Sequence, residues 1–158
     1  DYLNSEDGPG HDNYFDGGTG NDIFFGEGGV DTLIGGTGND TFYILDGNTS
    51  ITDVDGTSGN TDVVAFGGGV DHDEIWFSRS GNDLTAAVIG TDDQVVIVDW
   101  YLGSDHHVEQ FTTHGLTLLD SQVQNLVNAM AAFAVPTTTT LPPDYRAVLD
   151  PILAANWT

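Results

Sequence analysis

The chain contains three consecutive nonapeptides: GGTGNDIFF (residues 17–25), GEGGVDTLI (26–34) and GGTGNDTFY (35–43). Each has an aspartate at its sixth position and a large apolar residue at its eighth. Asp22, Asp31 and Asp40 therefore recur at intervals of nine residues. Self-similarity at such a short period indicates a solenoid, in which each unit buries its apolar residue by stacking on its neighbours.

The residue types within a unit suit a turn followed by a short strand. Glycines at the first, second and fourth positions permit positive φ and close backbone packing. The last three residues predict a strand roughly 10 Å long, whose alternation sends Phe24, Leu33 and Phe42 inwards. Two units complete one coil of a flattened spiral, so units two apart stack on the same side. Asp22 is thus expected to stack on Asp40.

A degraded unit precedes the regular ones. Residues 7–15 fit the frame with Asp12 sixth and Tyr14 eighth, and Asp16 is then one extra residue. This alignment predicts that Asp12 stacks on Asp31. The regular part of the spiral would then comprise about two coils.

Calcium is the ion that this arrangement favours. Ca²⁺ takes about six to eight oxygen ligands in flexible geometry. One turn offers too few oxygens, but the carboxylates and carbonyls of two stacked turns are enough. The three regular turns contain neither imidazole nor thiolate, which argues against zinc and copper. A flexible Gly/Asp linker is the alternative, but a linker has no reason to keep an apolar residue at every eighth position.

The overall charge agrees with cation binding. The 158 residues contain 25 Asp and Glu against 2 Lys and Arg, a formal net charge of −23. Self-repulsion of this size opposes compaction, so the chain is either partly disordered or folds with bound cations. The near absence of basic residues excludes nucleic acid and argues against an anionic membrane surface. There is no cysteine for a disulfide, and no apolar run is long enough to span a bilayer.

After residue 43 the period stops, and residues 44–69 are expected to continue the roll as irregular coils. Asp53-Val54-Asp55-Gly56 is similar to the start of an EF-hand loop. The spacing is wrong for one, since glycine is fourth and Val64 stands where the twelfth-position glutamate belongs. We therefore expect Asp53, Asp55 and Asp62 to be solvated turn residues.

Residues 70–119 read as antiparallel β structure, with strands expected at 74–79, 84–89, 94–101, 107–113 and 116–119. An open solenoid end exposes strand edges, so these strands are expected to pack on the end of the roll as a cap. Asp120 and Ser121 can start a helix. Its apolar face would hold Val123, Leu126, Val127, Met130 and Ala134, and Pro136 would end it. Residues 144–157 contain a second short helical candidate after a Thr/Pro linker.

The predicted fold is mainly all-β: a parallel β-roll capped by an antiparallel β segment and one or two short C-terminal helices. The roll would span 1–69, with regular repeats at 7–43 and irregular coils at 44–69. The β cap and its helix would span 70–134. A linker and a C-terminal segment would span 135–158.

The nonapeptides resemble the G-G-x-G-x-D-x-U-x repeat of repeats-in-toxin (RTX) proteins, which builds a calcium-binding parallel β-roll. Residues 79–84, 90–95, 99–101 and 108–110 resemble the module that follows the repeats in many RTX proteins, which implies a folding cap without catalytic role. The end of the chain is similar to the uncleaved C-terminal signal of type I secretion. A helix docking on the cap is the alternative for that segment, and both can hold at different times.

The resemblance implies Ca²⁺ as cofactor. The expected side-chain ligands are Asp12, Asp22, Asp31 and Asp40. The expected backbone carbonyl ligands are those of Gly17, Thr19, Gly26, Gly28, Gly35 and Thr37. The expected partners are calcium ions and, through the C-terminal segment, the type I secretion machinery.

No catalytic motif is present. There is neither an H-E-x-x-H helix nor a G-x-S-x-G elbow, and cysteine nucleophiles are absent. His106 and His107 could bind a transition metal, but adjacent strand residues point apart, so a surface turn is expected there. We predict no enzymatic activity in this chain.

The predicted function is a calcium-driven folding module at the C-terminus of a larger secreted or cell-surface bacterial protein. The chain opens on residues that look like the last positions of a repeat already under way, which indicates a piece of a longer protein. An adhesin or a toxin is the expected parent, with a secreted protease or lipase as the alternative. A monomer without membrane insertion is expected. A weaker alternative is carbohydrate binding through Trp76, Trp100 or Tyr101.

Overall fold

The repeats wind into a flattened parallel coil of about three turns. The computed structural model, which describes residues 1–4 and 10–158, confirms the predicted β-roll with two short helices at its C-terminal end. The strands of the described residues are β1 (Tyr2–Leu3), β2 (Tyr14–Thr19), β3 (Ile23–Thr37), β4 (Thr41–Thr52), β5 (Val63–Phe66), β6 (Ile75–Ser80), β7 (Asp83–Val88), β8 (Gln94–Ile97), β9 (Gln110–Thr113) and β10 (Leu116–Leu119).

The roll has two faces joined by its turns. Strands β3 and β4 run through a turn and contribute to both faces, so they are much longer than the three-residue strands predicted. On one face, Ile23 of β3 pairs in parallel with Thr41 of β4. On the other, Tyr14 of β2 pairs with Thr32 of β3. Both pairs are 18 residues apart, as expected for two nonapeptides per coil.

The core of the roll consists of two ladders of inward side chains. One ladder contains Leu3, Phe24, Phe42, Val64 and Phe111. The other contains Phe15, Leu33, Ile51 and Ile97. The rings of Phe24 and Phe42 stack with centroids 4.8 Å apart. These contacts confirm that the eighth position of each regular unit faces inwards.

The alignment predicted for the first unit is wrong by one residue. Asn13, not Asp12, lies level with Asp31, because the 18-residue offset of β2 and β3 is maintained without a bulge at Asp16. Phe15 consequently points inwards, whereas Tyr14 is 66% exposed. The beginning of the predicted unit, at residues 7–9, lies outside the described residues.

The cap continues both faces of the roll. On one face, β8 pairs in parallel with the second half of β4 and then antiparallel with β7, which pairs with β6. On the other face, β9 pairs in parallel with β5 and antiparallel with β10. The cap strands therefore extend the ladders of the roll, and the hydrophobic core passes from roll to cap without a break.

The cap strands are shorter than predicted at two places. The strand expected at 94–101 stops at Ile97, since Asp99 has a φ of 60° and a 3-10 turn follows at Trp100–Leu102. The strand expected at 107–113 begins only at Gln110. A left-handed residue cannot continue a strand, which accounts for the first ending.

Two helices cover one side of the cap. Helix α1 (Asp120–Met130) buries the predicted Val123, Leu126, Val127 and Met130, and ends six residues before Pro136. Helix α2 (Pro143–Asn156) packs on α1, and Trp157 after it is buried. The backbone of Thr158 exchanges two hydrogen bonds with Thr117. The predicted docking of a C-terminal helix on the cap is therefore present. Neither helix is long and apolar enough to cross a bilayer within the described residues.

Candidate metal centre

A column of acidic side chains runs along one edge of the roll and into the cap. Each member occupies the turn position directly before a strand whose second residue faces inwards. The members are Asp22, Asp40, Asp62 and Glu109. Successive members are joined by amide-to-carboxylate hydrogen bonds. The amide of Asp22 donates to Oδ1 of Asp40 at 2.8 Å, and the amide of Asp40 donates to Oδ1 of Asp62 at 2.7 Å. The amide of Asp62 donates to Oε2 of Glu109 at 2.7 Å. We call this set the acidic column.

The second carboxylate oxygens of the regular units have no partner. Oδ2 of Asp22, Asp31 and Asp40 is buried and accepts no hydrogen bond, and all three residues are 1% exposed. Buried polar atoms are almost always satisfied, and an uncompensated buried charge costs several kcal/mol. Each of these oxygens is therefore placed as a metal ligand would be. A bound cation would supply the partner that it lacks.

The first glycine of each unit leaves room beside these oxygens. A methyl group on Gly17 would lie 2.6 Å from Oδ2 of Asp22. One on Gly35 would lie 2.8 Å from Oδ2 of Asp40. Side chains cannot occupy such positions, so glycine here keeps a small space open in front of each carboxylate.

The opposite edge of the roll carries a shorter column. Oδ1 of Asp31 accepts hydrogen bonds from the backbone and side-chain nitrogens of Asn13, at 3.0 and 2.9 Å. Thr49 lies level with Asp31 on the next coil, and its buried hydroxyl is also without a partner. Asp12 is exposed, and its Oδ1 accepts the amide of Val30 at 2.8 Å. The predicted Asp12/Asp31 pair is therefore wrong, whereas Asp22 and Asp40 are stacked as predicted.

Asp53, Asp55 and Asp62 are not solvated turn residues, contrary to prediction. They are only 1%, 8% and 0% exposed. Asp62 belongs to the acidic column. Hydrogen bonds from Thr57 and Gly38 hold the pKa of Asp55 below its usual value. The irregular coil at 44–66 thus keeps acidic side chains inside the turns even though its sequence has lost the period.

The electrostatics of the acidic column oppose full ionisation without a cation. Burial, helped by the neighbouring carboxylates and opposed by the hydrogen bond from the amide of Asp22, raises the pKa of Asp40 to about 6. Burial likewise raises the pKa of Glu109 to about 7. Burial and the proximity of Asp62 raise the pKa of Asp53. A bound divalent cation would favour the charged forms of these groups.

Side chains alone do not form a ready-made cage. Across residues 1–4 and 10–158, no three His, Asp or Glu side chains are grouped as a metal site. An ion on these carboxylates must also take backbone carbonyls, which suits Ca²⁺. Of the predicted carbonyl ligands, that of Thr37 already accepts the amide of Gly20 at 2.7 Å and retains its second lone pair.

Comparison with protein families agrees with this geometry. Residues 7–42 match the RTX calcium-binding nonapeptide repeat in four copies. This stretch, 36 of the 158 residues, is thus similar to RTX calcium-binding repeats. Residues 83–122 match the haemolysin-type calcium-binding protein related domain, which covers most of the cap. The cofactor of the RTX repeats is Ca²⁺, and RTX repeat families are structural and not catalytic.

Other candidate sites from the sequence are not assembled within residues 10–158. His107 stacks on Trp100 at 3.8 Å between centroids and lies 3.3 Å from Asp120. Among the described residues, His106 and His107 do not belong to a group of three side chains that could hold a metal ion. Trp76 and Trp100 are buried at 3% and 4% exposure. They are core residues and offer no ring face to a sugar.

The members of the two columns that sequence reasoning missed are Asn13, Thr49, Asp62 and Glu109. Positions six to eight of each nonapeptide hold an acid, any residue and an inward apolar residue. The same order recurs in Asp62-Val63-Val64 and in Glu109-Gln110-Phe111. That short pattern, sought without the glycines, would have found the two acids.

Proposed function

We propose that this chain is a calcium-driven folding module of a secreted bacterial protein. The observation that carries the proposal is the set of buried, unpartnered Oδ2 atoms on Asp22, Asp31 and Asp40. The amino group of Asp1 meets only Oδ1 of Asp22, so without calcium all three Oδ2 atoms lack a partner, and the net charge of −23 opposes compaction. Because calcium binds only the folded turns, its binding free energy becomes folding free energy.

Under this proposal, Asp22 and Asp40 hold calcium on one edge of the roll, and Asp31 holds it on the other. The turn carbonyls of Gly17, Thr19, Gly26, Gly28, Gly35 and Thr37 complete the ligand sets. Calcium supplies the positive charge that allows these carboxylates to stack. The module itself has no catalytic step and acts as a monomer.

The role in export follows from the same coupling. In a calcium-poor cytosol the chain stays loose, and residues 135–158 serve as the C-terminal signal for type I secretion. Outside the cell, calcium folds the roll from the cap upwards, and α2 then docks on α1. RTX repeats are typical of secreted extracellular bacterial proteins, which supports this localisation. An adhesin or a toxin is the parent that we propose, and a secreted protease or lipase is the alternative.

Circular dichroism of the 158-residue chain tests the proposal. We expect a weak β signal in EDTA and a large gain of β signal in millimolar calcium. Magnesium at the same ionic strength is the control, because Mg²⁺ requires near-octahedral geometry and retains its waters. Equal spectra in EDTA and calcium, or an equal gain with magnesium, would contradict site-specific folding by calcium.

A further inference from the structure

Asp53 takes the place that a glycine occupies in the regular RTX coils. The last paired residues of β3 and β4 on this face are Ile34 and Thr52. The next residues along the two coils are Gly35 and Asp53. An aspartate therefore follows the strand where a regular unit would begin with its first glycine, and it lies outside the stretch that matches the nonapeptide repeat.

The carboxylate of Asp53 is buried without a partner. The residue is 1% exposed, and neither Oδ1 nor Oδ2 accepts a hydrogen bond. Asp55, two residues further on, accepts the amide of Thr57 at 2.8 Å and that of Gly38 at 2.9 Å. Asp55 therefore fixes the turn through these two hydrogen bonds, whereas neither oxygen of Asp53 makes one.

Asp53 is aimed at the same space as the last regular aspartate. A methyl group on Gly35 would lie 2.5 Å from Oδ1 of Asp53 and 2.8 Å from Oδ2 of Asp40. Both oxygens therefore face the small space that Gly35 leaves open. In the preceding coil the equivalent methyl group, on Gly17, would have atoms of Asp22 and Phe24 as its three nearest neighbours, so Asp22 supplies the nearest carboxylate there.

No described protein group neutralises this pair of carboxylates. Both oxygens of the neighbouring Asp62 are engaged, one by the amide of Asp40 and the other by the side chain of Asn60 at 2.9 Å. The two arginines of the chain lie elsewhere. Arg79 stacks over Tyr101, and Arg146 pairs with Asp73 at 2.9 Å.

We propose that Asp53 is a calcium ligand and that, with Asp40, it holds an ion where the repeats meet the cap. The inference rests on the proposed calcium binding by the roll. Two carboxylate ligands at one hard-oxygen site raise its negative charge, which increases calcium affinity. The tightest calcium site of the module is then at its cap end, where folding of the roll begins.

Isothermal titration of the full chain with calcium tests the proposal through Asp53→Asn. Asp46→Asn is the matched control, since Asp46 lies on β4, the strand that Asp53 follows, is exposed and loses the same charge. We expect one binding step of the Asp53→Asn protein to be lost or at least tenfold weaker. The control should stay within twofold of wild type. Coincident isotherms for Asp53→Asn and the control would overturn the proposal.

The outcomes separate this inference from the proposed function. A wild-type chain that binds no calcium contradicts the proposed function itself. If Asp53 is instead a protonated acid that donates to Asp62, asparagine can replace it as a donor, and the isotherm stays unchanged. If Asp53→Asn is unfolded in millimolar calcium, the titration is extended to 100 mM. Recovery of the fold supports a weakened site by mass action, and failure to recover indicates a structural role and overturns the proposal.

Discussion

A fragment that ends at Gly69 will stay unfolded even at saturating calcium. Removing residues 70–158 strips β8 from β4 and β9 from β5, so both faces of the roll gain open strand edges. Ile51 loses Ile97, and Val64 loses Phe111, from the inward ladders. A coil of a solenoid is stable only when its apolar residues are covered by neighbours. Circular dichroism should therefore show no gain of β signal when calcium is added to residues 1–69.

The control is truncation at the opposite end. A fragment of residues 17–158 loses β1 and the first half of β2 but keeps the junction between roll and cap. It should still gain β signal with calcium, at a higher calcium concentration than the full chain. A 1–69 fragment that folds with calcium as the full chain does would show that the roll does not depend on the cap.

Gly35→Ala will be among the most damaging single substitutions. Its new methyl group would lie 2.5 Å from Oδ1 of Asp53, 2.8 Å from Oδ2 of Asp40 and 2.9 Å from Cζ of Phe42. All three residues are buried, so no neighbour can move into solvent. Overpacking of this kind costs about 1–3 kcal/mol, and the methyl group also fills the space in front of the carboxylates. We expect the calcium-loaded protein to lose that stability in urea titration and calcium affinity to fall at least tenfold.

Gly56→Ala is the matched control for Gly35→Ala. Its methyl group would meet nothing closer than 3.8 Å, so stability and calcium affinity should match wild type within error. Equal behaviour of the two variants would mean that the space beside Gly35 has no role in calcium binding or in packing.

The stacking of Asp22 on Asp40 was predictable because two regular nonapeptides fix the spacing at 18 residues. The register of the first unit was not, since Asp12 and Asn13 are adjacent and both can stand at the end of a turn. Only the pairing of Phe15 with Leu33 decides between them. Because Tyr14 and Phe15 are both aromatic, the sequence alone does not show which of them faces inwards.

The sequence alone does not reveal the continuation of the acidic column, because the spacing between its members varies. Asp62 follows Asp40 by 22 residues, and Glu109 follows Asp62 by 47. A search at a fixed period cannot detect such members, because the intervening loops change length while the strand tails remain in register. The burial of Asp53 could not be predicted either. A turn rich in Asp and Gly is expected to be solvated unless the turn that stacks on it is known.

Calcium should complete the buried carboxylates of the roll, and the positions of the bound ions show whether it does. Anomalous scattering from crystals of the calcium-loaded chain would locate them. We expect peaks in contact with Oδ2 of Asp22, Asp31 and Asp40, with Asp53 sharing the ion at Asp40. Peaks only at exposed carboxylates such as Asp12, with these three oxygens left without an ion, would contradict it.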